Sequence, residues 1–302
     1  MTDASARGAG PTRDQLMWVL QLVGGDAVTE IRPLKAGGSP WLIGWGDASA
    51  GGRAVLRVGT AAEARVQARA ETAMPIADEH GVPVPDVLGS RISDEESLLL
   101  IEWIDGSSSQ PVEPDPARLE ALGAMAAVIF RADLGDIELP HVSRPIDGVD
   151  FDALRTASPH PLLERAARRL DGMHPESPTG LVHGDLWPGN TLWRDGEIVA
   201  VIDWDCAGRG PAGVDLASLR LDAALSWGPE ASDHVLAGWE REAAEPAQDV
   251  AYWDAVAGVN TPPDLGWFVE TTIEAIDRPD LTREVMMKRR DAFLSDALER
   301  LG

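Results

Sequence analysis

Cysteine is almost absent. Cys206 is the single one in 302 residues, which excludes an intrachain disulfide and any zinc site built on cysteine pairs. That usage fits a reducing compartment, so a cytoplasmic location is expected. Lysine is nearly as scarce, occurring only as Lys35 and Lys288. With Ala, Gly and Arg abundant, the bias reads as genome composition rather than function. No apolar run reaches 18 residues, so no membrane-spanning helix is expected. Met1 to Pro11 is small and polar without an apolar core, so no secretory signal is expected either. Positive charge is short as well: 26 Lys and Arg face 50 Asp and Glu, a net −24. Such a field repels nucleic acid and anionic membranes and attracts cations. Residues 181–302 carry 10 basic and 23 acidic side chains, and therefore more than half of the excess.

What is present is an ordinary globular composition, 44% apolar and 25% charged, in a chain long enough to form two lobes. Residues 1–12 read as a flexible leader. From Arg13 to Val23, Leu16, Val19, Leu20 and Val23 recur at helical spacing. Ile31 to Leu34, Trp41 to Trp45 and Ala54 to Val58 read as strands, the first two separated by a glycine turn at Gly37-Gly38. That turn either closes over phosphates or is a plain hairpin turn. Ala61 to Glu79 reads as a helix stopped by Gly81 and the prolines Pro83 and Pro85. Val87 to Ser90 and Leu98 to Trp103 are short strands. After a Ser/Pro/Gln-rich break at Ser107 to Pro116 the chain becomes helical, with stretches at Arg118 to Ala132, at Pro161 to Leu170 and from Asp215 onward. The pattern predicts a sheet-rich region over 13–105 and a helical one over 106–302. No GxGxxG occurs at Gly37, and no parallel-sheet pattern supports a dinucleotide fold.

The exception in the helical half carries the chemistry. Leu181-Val182-His183-Gly184-Asp185-Leu186-Trp187-Pro188-Gly189-Asn190 is followed by Val201-Ile202-Asp203-Trp204-Asp205. Phosphoryl transfer needs a carboxylate to orient the attacking hydroxyl and oxygen ligands to hold Mg²⁺ on the phosphate chain. Asp185 suits the first role, Asn190 and Asp203 the second. Asp195-Gly196 is a hairpin signal, so Thr191 to Trp193 should pair with Ile198 to Ala200. Centring the turn there puts Asn190 opposite Val201, with Asp203 two residues on. Strands about 4.8 Å apart then let both side chains reach one cation. Pro188 and Gly189 keep the segment a loop that presents Asp185.

His183-Gly184-Asp185 with Asn190, then Ile202-Asp203-Trp204, resembles the catalytic and metal loops of aminoglycoside phosphotransferases and their choline-kinase-like relatives. Those are small-molecule kinases with a protein-kinase-like fold. The resemblance implies an α+β chain of two lobes, the first small and sheet-rich, the second larger and mainly helical. It implies ATP (GTP fits the same pattern) and Mg²⁺ as cofactors. Glu71, on the helix before Gly81, resembles the glutamate that orients the phosphate-binding basic residue. Glu102, Trp103 and Ile104, within Leu99 to Gly106, resemble the hinge whose backbone reads adenine. Asp215 resembles the structural aspartate after the metal loop. Two departures stand out. Arg57 occupies the strand position where many kinases carry lysine, and its planar fork holds phosphate in a different geometry. The helix from Arg118 lacks the Leu-His ending common in the family.

Other residues admit two readings. His183 reads as a brace for the loop rather than a proton-transfer group. Asp205 reads as a metal or substrate contact, or as a plain loop carboxylate. Trp187, Trp193 and Trp204, three of eleven tryptophans, form a cage for a cationic amine or simply pack the core. Glu270 and Glu274 lie one turn apart on a helix starting near Leu265 and are acceptor contacts or a solvated face. Cys206 has no neighbouring His or Lys to activate it and reads as a buried thiol. The expected function is ATP-dependent phosphorylation of a hydroxyl on a small, cationic, amine-bearing acceptor of the aminoglycoside type. The segment between Asp203 and Asp215 is too short to be the activation segment of a protein kinase. A sugar, choline or amino-alcohol kinase is the alternative within the class, and a nucleotide-sensing pseudokinase the alternative outside it. Nothing in the sequence sets the oligomeric state.

Overall fold

The computed structural model describes residues 10–35, 38–46 and 51–302. Residues 1–9 of the expected leader and Gly37 of the expected turn lie outside the described residues. By its internal contacts the chain divides into two compact units. One takes the residues up to Pro75 together with Pro85–Asp105, and the other takes Ile76–Val84 and Gly106–Gly302. Among the described residues no helix is long and apolar enough to cross a membrane.

The first unit opens with α1 (Arg13–Val23). Thr12 caps it, accepting the Gln15 N–H while the Gln15 side chain accepts the Thr12 N–H. Gly24, at φ 65°, ends it in the left-handed conformation glycine favours. The strands β1 (Val28–Lys35), β2 (Gly38–Trp45) and β3 (Gly52–Thr60) follow, then α2 (Ala64–Glu79), whose residues from Ile76 count with the second unit, and β4 (Val87–Ile92) and β5 (Glu96–Glu102). The five strands form one antiparallel sheet in the order β1-β2-β3-β5-β4. Alternation selects the core face: Trp41 and Ile43, Ala54 and Leu56, Leu98 and Leu100 pack against Val19 of α1. Arg57 lies on β3 directly opposite Leu99 of β5 and is half-buried. The helix expected from Ala61 begins as a 3₁₀ turn at Ala61–Glu63 and carries Pro75 in its interior. A proline there cannot donate to the Glu71 carbonyl four residues back.

The second unit holds α3 (Pro116–Phe130), α4 (Phe151–Ala157), α5 (Pro161–Leu170), β6 (Thr179–Val182), β7 (Thr191–Arg194), β8 (Glu197–Val201), β9 (Gly208–Pro211), α6 (Gly213–Trp227), α7 (Ala231–Ala243), α8 (Val250–Val259), α9 (Gly266–Ile276) and α10 (Arg283–Arg300). α5 matches its expected span, whereas α4 carries no strong apolar periodicity and escaped the sequence pattern. α6 is the central element, buried from Gly213 to Ser226. Its Val214, Ala217, Leu221 and Leu225 join Trp253 of α8, Val269 of α9 and Phe293 of α10 in the main core. α3 and α7 cross backbone to backbone. A Cβ on Gly123 would lie 1.9 Å from the Val235 carbonyl, and one on Gly238 would lie 1.9 Å from the Glu120 carbonyl. Two short ladders, β6 with β9 and β7 with β8, frame the loops that follow them.

Candidate active site

The loop that follows β6 leaves it at Val182 and is held by α6. Asp215, in the first turn of α6, accepts the backbone N–H of His183 at 2.7 Å and of Gly184 at 2.8 Å. Gly184 has φ 78°, and a Cβ there would sit 2.2 Å from the Cys206 carbonyl, so only glycine fits. Burial pushes the Asp215 carboxyl up to about 6, against the pull of its two N–H donors.

His183 is fully buried, and both ring nitrogens are engaged. Nδ1 accepts the Asp185 N–H at 3.3 Å, which leaves the proton on Nε2 to reach the Ile202 carbonyl at 3.0 Å. Burial lowers its pKa to about 4, with the Ile202 carbonyl and the Asp203 charge acting in the opposite direction. A neutral imidazole so committed ties the loop after β6 to the segment after β8. Its ring lies 4.7 Å from that of Trp204.

Asp185 and Asn190 are brought together. The Asn190 side-chain amide donates to the Asp185 backbone carbonyl at 2.9 Å and to its carboxylate Oδ2 at 3.3 Å. Asn190 is buried at the end of a 3₁₀ turn, Pro188–Asn190, while Asp185 is half-buried. With Nδ2 turned to Asp185, the amide oxygen Oδ1 points away from that contact. The β7–β8 hairpin turns at Asp195 and Gly196, whose φ values of 54° and 86° suit a two-residue turn. Its register corrects the expected one: Thr191, not Asn190, lies opposite Val201. A bulge at Val199, between the pairs Leu192–Ala200 and Trp193–Ile198, supplies the extra residue. Asn190 instead accepts the Ile202 N–H at 2.9 Å. Asp203 therefore follows one residue after this tie, in the left-handed conformation (φ 68°) that aspartate tolerates. Asp205 is half-buried in the 3₁₀ turn Trp204–Cys206, and Cys206 is half-buried too rather than enclosed.

Two of the tryptophans pack the core. Trp204 is fully buried with its indole N–H on the Val201 carbonyl. Trp193 gives its N–H to the Thr191 hydroxyl and has the Arg118 guanidinium 4.2 Å above its ring. Glu270 and Glu274 are exposed on α9, and Trp267, 45% exposed, precedes Glu270 by one turn. α9 lies against the turn that carries Asn190.

In the first unit, one residue missed by sequence reasoning sits behind Glu71. Gln67 Nε2 donates both to Glu71 Oε1 at 2.6 Å and to the Leu98 carbonyl at 2.7 Å, locking the glutamate to β5. Its place four residues earlier on the same helix face was the available signal. Glu102, Trp103 and Ile104 are half-buried at the end of β5, with the Glu102 N–H donating to the Asp86 carbonyl. Asp222 was also missed. It is 6% exposed on α6, seven residues after Asp215 and thus on the same helix face. Burial, followed by the charge of Asp185, raises its pKa well above the ordinary carboxylate range.

Several solved phosphotransferases share this architecture. An aminoglycoside-3'-phosphotransferase of type VIII is 20% identical, with a TM-score of 0.58 over 80% of this chain and 97% of its own. The macrolide 2'-phosphotransferase MphH from Brachybacterium faecium is 21% identical, with a TM-score of 0.58 over 94% and 98%. A spectinomycin phosphotransferase in complex with ADP and spectinomycin is 14% identical, with a TM-score of 0.58 over 96% and 98%. The fold is thus the protein-kinase-like α+β fold of aminoglycoside phosphotransferases. No curated protein sequence matches the chain. The model of the phosphotransferase enzyme family APH matches residues 30–259, and the chain belongs to that family. It is a small-molecule phosphotransferase.

Proposed function

We propose that the protein transfers the γ-phosphate of ATP to a hydroxyl group of a small, amine-bearing molecule. The observation that carries this reading is the frame that ties Asn190 to Asp185 through its side chain and to the residue before Asp203 through its backbone. One amide group of Asn190 binds Asp185 twice, and the Asn190 carbonyl binds Ile202, the residue before Asp203. Asp185 orients the acceptor hydroxyl and accepts its proton late, because phosphoryl transfer asks chiefly for positioning and charge stabilisation. The donor set suits Mg²⁺. Asn190 Oδ1 and the Asp203 carboxylate are hard oxygens, His183 is committed elsewhere, and Mg²⁺ typically takes one or two protein ligands plus phosphate. When bound there, Mg²⁺ would neutralise charge on the phosphates. In the first unit, Arg57 steadies the phosphates, Glu71 orients it, and the backbone of Glu102 to Ile104 reads the base.

The family and a solved relative holding ADP with spectinomycin support a nucleotide and an antibiotic-like acceptor. The −13 carried by residues 181–302 favours a cationic acceptor, since charge of one sign raises encounter rates with the opposite sign. Asp205, Glu270 and Glu274 are the carboxylates proposed to meet it. The test is a coupled ADP-release screen against aminoglycosides, macrolides, spectinomycin, amino sugars, neutral sugars and choline. ADP release stimulated by an amine-bearing alcohol is the expected result. Stimulation by neutral sugars alone would remove the cationic acceptor, and stimulation by nothing in the panel would remove the reading.

A further inference from the structure

A cavity of about 550 Å³ opens in the helical unit at the start of β6, whereas His183 follows the end of that strand. Thr179, which lines it, precedes His183 by four residues, about 13 Å along an extended strand. None of its lining residues belongs to the loops of Asp185 or Asp203. Three of the segments that wall it nevertheless run on into the frame of the loop after β6. From Thr179, β6 leads to His183 and Gly184. From Pro211, paired with Thr179 across β6 and β9, the chain reaches Asp215, which binds the N–H groups of both. From His141, whose backbone bridges to Arg209 of β9, it reaches Ile146, whose N–H donates to the Gly184 carbonyl at 2.8 Å.

The lining has two characters. Tyr252 and Trp253 of α8, edge to face with ring centres 5.0 Å apart, form an apolar side with Pro175, Pro178 and Pro211. The polar side is an exposed rim of His141, Ser143, His174, Glu176 and Thr179. None of these five side chains makes a hydrogen bond or ion pair among the described residues, so all five are open to a ligand. The segment that carries His174 and Glu176 is tied at both ends. The Tyr252 hydroxyl donates to the Met173 carbonyl at 3.2 Å, and the Ser177 hydroxyl to the Asp249 carboxylate at 3.5 Å. A rim held in place costs a ligand less ordering.

This lining selects a class of ligand. No lysine or arginine lines the cavity and Glu176 is a carboxylate, so phosphates and carboxylates find no counter-charge. A purely apolar molecule would cover imidazoles and hydroxyls without satisfying them. A ring with hydroxyls on its edge and C–H groups on its faces answers both sides. Its hydroxyls donate and accept, as the mixed rim requires, and its faces lie on aromatic and proline surfaces. Cavities of about 300–1,000 Å³ take molecules of drug size, which leaves room for two rings. We propose that this cavity is an effector site for a neutral glycoside, whose binding rigidifies the loop carrying His183, Gly184 and Asp185. A ligand that stills the three wall segments at one end restrains Gly184 at the other, by loss of mobility rather than by displacement. This site goes beyond the phosphotransferase reading and does not rest on it.

Saturation-transfer NMR on the full chain tests this with three probes. Phenyl β-D-glucopyranoside has the proposed chemistry. Phenyl β-D-glucuronide carries a carboxylate in place of the hydroxymethyl group, and 2-phenoxytetrahydropyran lacks the hydroxyls. Titration should give the glucoside a Kd at least about tenfold lower than that of either control. Changing His141→Ala and His174→Ala together removes two exposed side chains that bind nothing else in the described residues. The melting temperature should stay in place while the glucoside weakens at least about tenfold. Hydrogen exchange read by mass spectrometry supplies the second measurement. Exchange at residues 183–185 should slow at least about threefold when the glucoside saturates the wild type, and should not change in the double variant. Equal binding of the three probes, no binding of the glucoside, or undiminished affinity in the double variant overturns the proposal. Glucoside binding that leaves exchange at residues 183–185 unchanged in the wild type overturns it as well, a result that needs no variant.

Discussion

Two regions of the helical unit bury an aspartate, and they hold it by opposite means. Under the loop that follows β6, Asp215 is bound by peptide N–H groups at 2.7 and 2.8 Å. At the junction of α6, α8 and α10, Asp254 is bound by guanidiniums, with Arg220 at 2.9 Å through both prongs and Arg300 at 2.7 Å. The first arrangement sets the shape of a loop. The second fixes how helices pack, because each partner comes from a different element. A carboxylate held by dipoles alone stays open to titration when buried, and Asp215 is accordingly pushed up to about 6. Burial depth is therefore a poor guide to what an acid does, and the nature of its partners is a better one.

The sharpest way to separate the two regions is to disable one without loosening the other. Asp185→Asn keeps shape and the Asn190 contact but removes the proposed proton acceptor. It should cut kcat by about 10²–10⁴-fold while the urea-unfolding midpoint stays near that of the wild type. A variant retaining more than about a tenth of wild-type kcat would deny Asp185 this role. Asp254→Ala should do the reverse. It leaves the 3%-exposed Arg220 with only the exposed Asp233, 3.9 Å away, as counter-charge and should cost about 3–5 kcal/mol of stability. The kcat per folded molecule should not move. If the catalytic rate falls in step with stability, the division between the regions fails.

A third variant uses pH. The folded-state pKa of Asp215 is raised, so it contributes stability that is fully present below its ordinary value and is lost as pH rises to about 6. His183 is depressed to about 4, so its contribution is present above about 6.5 and is lost as pH falls to 4. The two groups oppose each other over the same window. Asp215→Asn removes one of them. Its stability relative to wild type should improve by on the order of 3 kcal/mol between pH 4 and pH 7, as followed by urea unfolding across that range. A flat difference would mean that Asp215 does not titrate in the fold. The smallest effect belongs to Arg300, which is 37% exposed and shares Asp254 with Arg220. Arg300→Ala should cost about 1 kcal/mol or less, and a much larger loss would make Arg300 rather than Arg220 the true partner.

Local rules made part of this legible from sequence and failed where long-range packing decided. The apolar spacing of Leu16, Val19 and Leu20 marked α1, and the prolines after Gly81 marked the end of α2, because helix period and backbone restriction are local. Asp195-Gly196 marked the hairpin, yet its register slipped by one. The bulge at Val199 leaves no compositional trace, and a single extra residue shifts every pair beyond it. The compact path from His183 to Asn190 could be read from Gly184, Pro188 and Gly189. Gln67 could be read only in part. Its spacing from Glu71 is local, whereas the Leu98 carbonyl that completes the tie comes from another element. α4 has seven residues and too few apolar positions to establish a period.

The reciprocal glycines of α3 and α7 also bear on how this chain can change over generations. At Gly123 and Gly238 the position of a Cβ falls inside the partner helix's backbone, 1.9 Å from a carbonyl oxygen in each case. No single substitution at either site leads to a neighbouring sequence that preserves the crossing, since even alanine would pry the helices apart. Two successive changes fare no better, because the second cannot relieve the first. Gly148, with nothing within 4 Å of its Cβ position, is free to drift. The tight crossing is therefore a ratchet: once two helices have met through bare backbone, the lineage that adopted the contact keeps glycine at both positions for as long as it keeps the fold.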